Sequence, residues 1–561
     1  MLSEITKSKK IIVMLGVMSA MLLAALDQTI VATAMPRIVQ ELNGLEHLSW
    51  VFTAYLLAST VVVPLSGKLS DIYGRKIFYI ISVVIFLIGS ILSGLSQNMT
   101  QLILFRGIQG IGGGAIMSNS FTIIGDLFPP SERGKWQGML GGVFGLASVF
   151  GPMLGGWLTD NASWRWTFFI NMPVGALALG LIFFLMPKFV STIKDKVIDY
   201  KGSIALTIGL ITLLLGLVWG GSQYPWNSMQ IMWLFAASIT SLIIFAFIES
   251  KAKEPILPLS LFKNSIFSVS ILIIFLLGIS MFGAILYIPL FAQIVLGVSA
   301  TNSGTILTPL MLGLIFSSVV SGQVISRTGK YKILTIVGLA IIPIALFWLS
   351  AMSSGTTQFE LILRTIFIGI GLGITMPVFT IVVQNAFDHS KLGVVTASTQ
   401  LFRAIGGTVG VAIMGGILNS SMSAKLNSLS SDKFMETIAK FNPNFKPENI
   451  DINKLQGILS STGQAQIQEK LSSLPPLIKI DVIHAFIEFA AKIKEILASS
   501  IGEVFLISGF IMIIAFIASF FLKEIPLRKS HAPRSGLEEA GVGIAVEQGE
   551  FRPKDEPQLN R

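Results

Sequence analysis

Two charged side chains stand inside apolar stretches of this sequence, where a charge is energetically costly. Asp27 lies in MLLAALDQTIVATAMP, residues 21–36, and Arg106 lies in LFRGIQGIGGGA, residues 104–115. An unpaired charge at membrane depth costs a few kcal/mol or more, so such residues are rare and are functional by default. A buried carboxylate must be paired, hydrated or protonated. Asp27 is therefore a candidate for proton uptake and for attraction of a cation.

The two charges are expected at one level of a central cavity. If the first apolar run starts near Ile11, Asp27 lies about 24 Å along its helix, in the outer half of a bilayer about 30 Å thick. Arg106 enters from the opposite side, in a helix that runs the other way, at a similar depth. A purely structural ion pair is the alternative role for Asp27. Snorkelling to the nearby outer boundary is the alternative for Arg106.

A third charge, Arg403, lies several turns into a late apolar run, in LFRAIGGTVG. It either faces the cavity as a second buried charge or pairs with a backbone carbonyl for a structural purpose. No constellation of catalytic residues is evident, so no enzyme is expected. There is no Walker-type glycine–lysine loop, so no nucleotide is implied as an energy source, and GIQGIGGGAI follows no soluble strand, so no dinucleotide site is expected. With 0 Cys and 4 scattered His, no metal site and no cofactor are expected.

The composition places these charges in a polytopic membrane protein. Hydrophobic residues make up 52% and charged residues 12% of the 561 residues, and the mean hydropathy is +0.76. Soluble domains carry about 25% charged residues. Apolar runs of the roughly 20 residues that a spanning helix needs begin near Ile11, His47, Ile77, Gln101, Trp136, Trp166, Gly202, Met229, Ile266, Asn302, Ile333, Leu361, Val394 and Ser500. The sequence therefore predicts an all-α protein with about fourteen spans.

Basic residues give this membrane protein an orientation. Lys and Arg cluster before the first span and in every second connection, near residues 68–76, 133–135, 188–201, 251–263 and 327–332. By the positive-inside rule, these connections and both termini are cytoplasmic. The net charge of +10 is explained in this way, so nucleic acid is not expected as a partner. A long polar outer loop is predicted over 419–499, and a disordered cytoplasmic tail over 529–561.

An internal repeat relates the early spans to the late ones. LILFRGIQGIGGGAIM at 102–117 aligns without a gap with LILRTIFIGIGLGITM at 361–376. The glycines coincide in pairs, Gly110 with Gly369 and Gly114 with Gly373. Parallel repeats of this kind are typical of transporters built from two six-helix halves. We expect the halves over 1–188 and 266–528, the second including the outer loop, and two additional membrane helices with their linkers over 189–265.

GKLSDIYGRK, residues 67–76, fills the short connection between the second and third spans. Its distinctive residues are Gly67, Asp71, Gly74, Arg75 and Lys76. The glycines permit close approach and a tight turn, and Asp71 and Arg75 are one helical turn apart. A solvated charged turn is the alternative interpretation. A degenerate copy, GQVISRTGKY at 322–331, weakens that alternative and has Ser326 in the place of the aspartate.

The connection resembles the signature loop of the major facilitator superfamily. The resemblance implies a cytoplasmic gate whose aspartate locks the two halves in the outward-facing state. Because Ser326 replaces that aspartate in the second copy, an acid-dependent latch is expected in the first half only. Members of the superfamily also carry an arginine at the place of Arg106, implicated in proton transfer. The drug:proton antiporters among them carry an aspartate at the place of Asp27, in LDxTIVxxAxP.

A glycine and proline cluster in the fifth predicted span favours export over uptake. The residues are Gly151, Pro152, Gly155 and Gly156. Proline bends a helix and glycines allow tight packing, so a generic kink is the alternative. The order of these residues resembles the antiporter motif of the superfamily, with Ala147 in place of its first glycine. SWRWTFFINMPVG, residues 163–175, is similar to a segment of the fourteen-helix drug:proton antiporter branch, and the resemblance extends over about 11–528.

The resemblance implies the major facilitator fold and a proton-coupled secondary exporter that works by alternating access. Its expected substrates are lipophilic, often cationic compounds, and its other partners are protons and the lipid bilayer of the cell membrane. A monomer is expected. A dedicated exporter of a metabolite, peptide or lipid is the alternative within the same fold. A membrane sensor or scaffold that binds a partner through 419–499 is less favoured, because a scaffold has no need of gate and antiporter motifs.

Overall fold

A computed structural model describes residues 6–42, 48–187, 197–221, 223–298, 300–388, 391–427 and 476–527 of the chain. Across these residues the secondary structure is helical, with one isolated bridge between Gly220 and Tyr224. The helices are α1 (Lys7–Leu42), α2 (Leu48–Tyr73), α3 (Arg75–Gly94), α4 (Met99–Leu127), α5 (Pro130–Asn161), α6 (Trp166–Phe169), α7 (Asn171–Leu185), α8 (Tyr200–Trp219), α9 (Met229–Glu249), α10 (Ser265–Ile294), α11 (Ala300–Thr328), α12 (Lys332–Ser350), α13 (Gln358–Ala386), α14 (Leu392–Asn427) and α15 (Pro476–Phe520).

The predicted number of spans is confirmed. Thirteen helical segments of the described chain are long and apolar enough to cross a membrane, with α6 and α7 joined as the segment Trp166–Leu185. Helix α4 is the fourteenth span: it has 29 residues, but Arg106 and its many glycines lower its mean hydropathy. Each predicted apolar run therefore corresponds to one spanning helix of an all-α fold.

Short polar residues fix where several of these helices begin. The Asn98 side chain accepts a hydrogen bond from the Gln101 backbone N–H at the start of α4. Thr357 and Glu360 form a reciprocal capping box at the start of α13. Such caps satisfy backbone donors that have no partner within the helix. Glu360 thus has a defined capping role.

The repeated glycines pack in the same way in both halves of the chain. A Cβ at Gly110 or Gly114 of α4 would collide with the backbone of α2. A Cβ at Gly369 or Gly373 of α13 would collide in the same manner with the backbone of α11. Glycines of this kind let two membrane helices approach closely. The sequence repeat therefore encodes one helix contact that occurs twice.

Among the described residues, the first half holds apolar clusters around Phe86 and around Trp164, and the second half holds a larger one around Phe379. The halves meet along α5 with α11 and along α2 with α14. The additional helices α8 and α9 pack on each other, and α8 also contacts α2 and α14. Helix α14 continues to Asn427 and α15 begins at Pro476, so helical structure enters both sides of the segment predicted as a polar loop. The centre of that loop and the predicted tail at 529–561 lie outside the described residues.

Candidate functional site

Asp27 and Arg106 meet in an ion pair inside the first half of the bundle. Helix α1 supplies Asp27 and helix α4 supplies Arg106, whose Nη1 donates to Asp27 Oδ2. The side chain of Asp27 is fully buried, and that of Arg106 is 1% exposed. Arg106 is seven residues beyond Met99, where α4 begins, which is about 10 Å along the helix axis. The predicted common level of these two charges is confirmed.

Amide side chains complete the coordination of the Asp27 carboxylate. Gln109 Nε2 donates to Asp27 Oδ1 over 2.7 Å, and Arg106 Nη1 donates to Gln109 Oε1 over 2.8 Å. Asn171, at the start of α7, donates over 3.4 Å to Asp27 Oδ1 and over 2.9 Å to Ser90 Oγ. The carboxylate therefore receives hydrogen bonds from three side chains on two neighbouring helices, which is how a buried charge becomes tolerable.

The guanidinium of Arg106 has further partners besides the acid. Its Nε donates to the carbonyl oxygen of Val51 over 3.5 Å. Its Cζ lies 4.4 Å from the centroid of the Tyr55 ring, within the range of a cation–π interaction. Arg106 is thus held in place by groups that do not depend on the charge of Asp27.

The predicted antiporter motif packs α5 closely against α1, at the residues that follow Asp27. A Cβ at Gly151 would collide with Thr29, and a Cβ at Gly155 with Thr33 and the backbone of Ile30. Thr29 also donates a hydrogen bond to the carbonyl oxygen of Ala147 over 2.9 Å. The expectation of tight packing is confirmed for these two glycines.

The other two residues of that motif behave differently from each other. Pro152 lies inside α5, where it removes one backbone donor. Gly156 has open space around it, with nothing within 4 Å of a Cβ built there. The expectation of tight packing is therefore wrong for Gly156, because this position points away from the contact with α1.

The residues of GKLSDIYGRK form a charged cluster between the two halves. Asp71 pairs with Arg75, and Arg75 Nε also donates to Asp126 Oδ2 of α4 over 2.8 Å. Gly74 has a φ of 92° and makes the turn from α2 into α3. Lys76 Nζ donates to the carbonyl oxygen of Met186 over 2.7 Å. The arrangement is a buried network, which excludes the alternative of a solvated turn.

This cluster lies directly against the start of α14, in the second half. A Cβ at Gly67 would approach Ala397 Cβ to 2.5 Å and the Gly393 carbonyl oxygen to 2.8 Å. A Cβ at Gly393 would in turn collide with the Asp71 carboxylate. Gly393 is the second residue of α14, and the positive end of a helix dipole favours a nearby carboxylate. We call this end of the bundle, which holds Gly74 and the start of α14, the gate end.

Two further contacts join the halves at the gate end. A Cβ at Gly134 of α5 would approach Gly322 Cα of α11 to 2.6 Å. Arg133 Nη1 donates to Gln384 Oε1 of α13 over 3.2 Å. Ser326, the counterpart of Asp71 in the second copy, is exposed. The second copy therefore contributes close packing through Gly322 rather than an acidic contact.

Comparison with known proteins agrees with this architecture. The family model described as Major Facilitator Superfamily matches residues 17–411. The chain belongs to the major facilitator superfamily. It is 39% identical over 539 residues to the Multidrug transporter protein MdtP of Bacillus subtilis (strain 168), covering 95% of this chain and 96% of that protein. It is 40% identical over 419 residues to Multidrug resistance protein 3 of the same organism, covering 75% of this chain and 81% of the relative.

A solved structure supports the major facilitator fold independently of sequence. The proton:xylose symporter XylE superimposes with a TM-score of 0.56 at 15% identity, over 93% of this chain and 97% of that one. At this identity the likeness concerns the fold alone. This chain is thus a multi-pass membrane transporter of the superfamily and not an enzyme.

Arg403 occupies an environment different from that of the Asp27–Arg106 ion pair. It lies in α14, is half-buried, and its Nη1 donates to Gln400 Oε1 over 3.2 Å. In the described part of the chain it donates to no backbone carbonyl and pairs with no carboxylate. The structural alternative in which it pairs with a backbone carbonyl is therefore wrong for this conformation.

Several site residues are absent from the sequence prediction. Gln109 and Asn171 bind Asp27, and Asp126 binds Arg75. A signal for Gln109 exists, because it lies three residues after Arg106 and so on the same helix face. Asn171 and Asp126 come from other helices, and their roles depend on contacts that a single sequence does not display.

Proposed function

We propose that this transporter exports lipophilic, often cationic compounds in exchange for protons, by alternating access. The observation that carries the proposal is the buried carboxylate of Asp27, held by Arg106 and Gln109 at membrane depth. Charged residues inside membrane helices commonly mark ion and proton pathways in transporters. The names of the two Bacillus subtilis relatives describe multidrug transport and multidrug resistance, which supports a transporter of drug compounds.

The network around Asp27 tolerates both charge states of the acid. When Asp27 is ionised, it accepts hydrogen bonds from Arg106, Gln109 and Asn171. When it takes up a proton, Arg106 keeps the Gln109 amide oxygen, the Val51 carbonyl and the Tyr55 ring as partners. In both states the Arg106 guanidinium keeps hydrogen-bond acceptors, so protonation of Asp27 does not leave all of its donors unsatisfied.

Protonation at Asp27 acts on the helix contact beside it. Loss of the ion pair loosens α1 from α4, while Thr29 and Thr33 keep α1 against Gly151 and Gly155 of α5. Helices α1 and α5 can therefore shift together relative to α4. In this proposal, that shift couples proton binding to the relative movement of the halves.

The contacts at the gate end indicate which state of the alternating-access cycle this conformation represents. Contacts across the halves at Gly67 with Gly393, and at Gly134 with Gly322, leave no room for a Cβ there. We assign this end to the cytoplasm by the positive-inside rule, with both termini on that side of the cell membrane. A closed cytoplasmic end corresponds to the outward-facing state, and the Asp71 cluster is its latch.

Proton-driven dye uptake into everted membrane vesicles tests the proposal. The wild-type protein should accumulate a cationic dye such as ethidium when a proton gradient is imposed, and Asp27→Asn should not. Asp160→Asn, at an exposed position at the end of α5, is the matched control and should behave as wild type. Full proton-driven uptake by Asp27→Asn refutes the coupling role. Absence of cationic dye uptake by wild type favours a dedicated exporter of another compound.

A further inference from the structure

Arg403 lies on the face of α14 that points to the interface between the halves. Thr396, seven residues earlier and thus on the same helix face, accepts a hydrogen bond over 2.9 Å from Gln384 Nε2. Gln384 also donates to the carbonyl oxygen of Phe121 in α4, in the other half, over 3.3 Å. Two turns beyond this polar layer, Arg403 is half-buried within the bundle. Its side chain therefore lies on the same face of α14 as Thr396, two turns further from the gate end.

Glycine packing holds the backbone around Arg403 firmly against α10. A Cβ at Gly278 of α10 would collide with the Arg403 carbonyl oxygen. About one and two turns further along α14, Gly406 and Gly410 pack in the same way against the backbone of α10. A charge carried on such a close helix pair has a defined position, which a binding site requires.

Arg403 and Gln400 carry hydrogen-bond donors that have no acceptor among the described residues. Gln400 Oε1 already accepts from Arg403 Nη1. The Gln400 amide nitrogen is buried without a hydrogen-bond partner in the described chain, and Nε and Nη2 of Arg403 have none there either. An isolated cation with spare donors is complementary to an anion, and an arginine fork suits a carboxylate in particular.

The charge balance of the bundle interior points the same way. Arg106 and Asp27 neutralise each other in the first half. Arg403 is a cation at membrane depth without a carboxylate partner among the described residues. A charge in that situation is costly unless a counter-ion or water accompanies it. A substrate that brings its own negative charge removes this cost.

An aromatic side chain packs against α14 one turn along the helix from Arg403. Phe282 of α10 packs against Gly407 of α14, where a Cβ would collide with its ring, and Phe282 is half-buried. An apolar ring next to a cation suits a ligand with an aromatic or aliphatic body and one anionic end.

We propose that Arg403 and Gln400 bind the carboxylate of lipophilic organic acids, so that the substrates include anionic and zwitterionic compounds. This inference rests on the proposed export function and extends its substrate class beyond cations. Asp27 handles the proton in one half, and Arg403 recognises the anionic group of the substrate in the other.

Three pyrene probes of nearly equal size test this site on the purified full-length protein. Pyrenebutyrate carries one negative charge, pyrenebutanamide is neutral, and pyrenebutyl-trimethylammonium is positive. Binding is followed by energy transfer from the tryptophans of the protein. Hydrogen bonds to a charged group predict that wild type binds the butyrate about tenfold or more tightly than the amide. Arg403→Gln should abolish this preference, and Arg403→Lys should retain part of it. The control Arg364→Gln, near the start of α13 and away from the gate end, should leave the preference unchanged.

The outcomes separate this inference from the proposed function. Equal binding of butyrate and amide by wild type overturns the inference, and so does an equal loss of all three probes in Arg403→Gln, which indicates a structural role. Ethidium uptake into everted vesicles is measured in parallel. Intact proton-driven ethidium uptake without butyrate preference refutes only the anion site. Butyrate preference without ethidium uptake supports the anion site and refutes the export of cations.

Discussion

The substitution Gly67→Ala should open the gate end of the transporter. An added methyl group would approach Ala397 Cβ to 2.5 Å and the Gly393 carbonyl oxygen to 2.8 Å, both in α14. These are fixed atoms that cannot swing away, and overpacking of this kind costs about 1–3 kcal/mol. The contact exists only while the halves are together at this end. The closed state should therefore lose population by about 5- to 150-fold relative to the open state.

Gly156→Ala provides the matched control for this prediction. It adds the same methyl group to a membrane helix, but nothing lies within 4 Å of the new atom. Any general effect of replacing glycine by alanine in a helix appears in both variants. Only Gly67→Ala should change the conformational equilibrium.

Distances between spin labels report that equilibrium directly. The chain has 0 Cys, so labels can be attached to introduced cysteines without first replacing native ones. Labels at the exposed Tyr73 and Arg327 report the gate end, and labels at the exposed Asn161 and Gln358 report the opposite end. Gly67→Ala should lengthen the first distance and shorten the second. Distance distributions identical to those of Gly156→Ala would refute the assignment of Gly67 to the closed gate.

Two further predictions concern the coordination of Asp27 and the surface at the opposite end. Gln109→Leu removes hydrogen bonds of 2.7 and 2.8 Å from the Asp27 network and should therefore reduce proton-driven dye uptake. The control Gln40→Leu, at an exposed position of α1, should leave uptake unchanged. Equal uptake by both variants contradicts the role of Gln109. Hydrogen bonds from the Trp164 indole N–H and then from the Arg165 guanidinium hold the pKa of Glu41 below its ordinary value of 4.5. The stability that the Glu41 carboxylate contributes is therefore present above pH 4.5 and is lost as the pH falls through the lowered pKa. Thermal unfolding across this range should show a smaller acid-dependent drop in midpoint for Glu41→Gln than for wild type, and identical drops would contradict the argument.

The fold was predictable from sequence because its main signals are local. Runs of about 20 apolar residues specify a spanning helix wherever they occur, and α4 is recognisable even though Arg106 interrupts its apolar run. The pairing of Gly110 with Gly369 also predicts two equivalent helix contacts, which α2 with α4 and α11 with α13 provide.

Helix α14 ends and α15 begins inside the segment predicted as a loop. Contacts between the two helices lie behind this, and the hydropathy of a single segment does not reveal them. Both helices continue beyond the apolar runs into polar sequence. Ser421 Oγ donates to Ser500 Oγ over 3.0 Å, and Lys425 Nζ pairs with Glu503 over 2.7 Å. These polar pairs join the two helices, so helical structure persists where hydropathy alone predicts a loop.

The candidate site was predictable in its charges but not in its amides. Asp27 and Arg106 stand out because a charge in an apolar run is rare. Gln109 and Asn171 carry no charge, and only the fold brings them to the carboxylate. Gly156 was misassigned for the same reason, since a motif does not reveal which of its glycines faces a neighbouring helix.

Proton movement driven by substrate is the most direct test of the proposed coupling. Purified protein in liposomes is given an outward gradient of a cationic dye, and the internal pH is followed with a trapped indicator. The wild-type protein should acidify the interior as dye leaves, and Asp27→Asn should leave the internal pH unchanged. Dye export by wild type without acidification, or acidification by Asp27→Asn equal to that of wild type, would contradict a proton exchange that depends on Asp27.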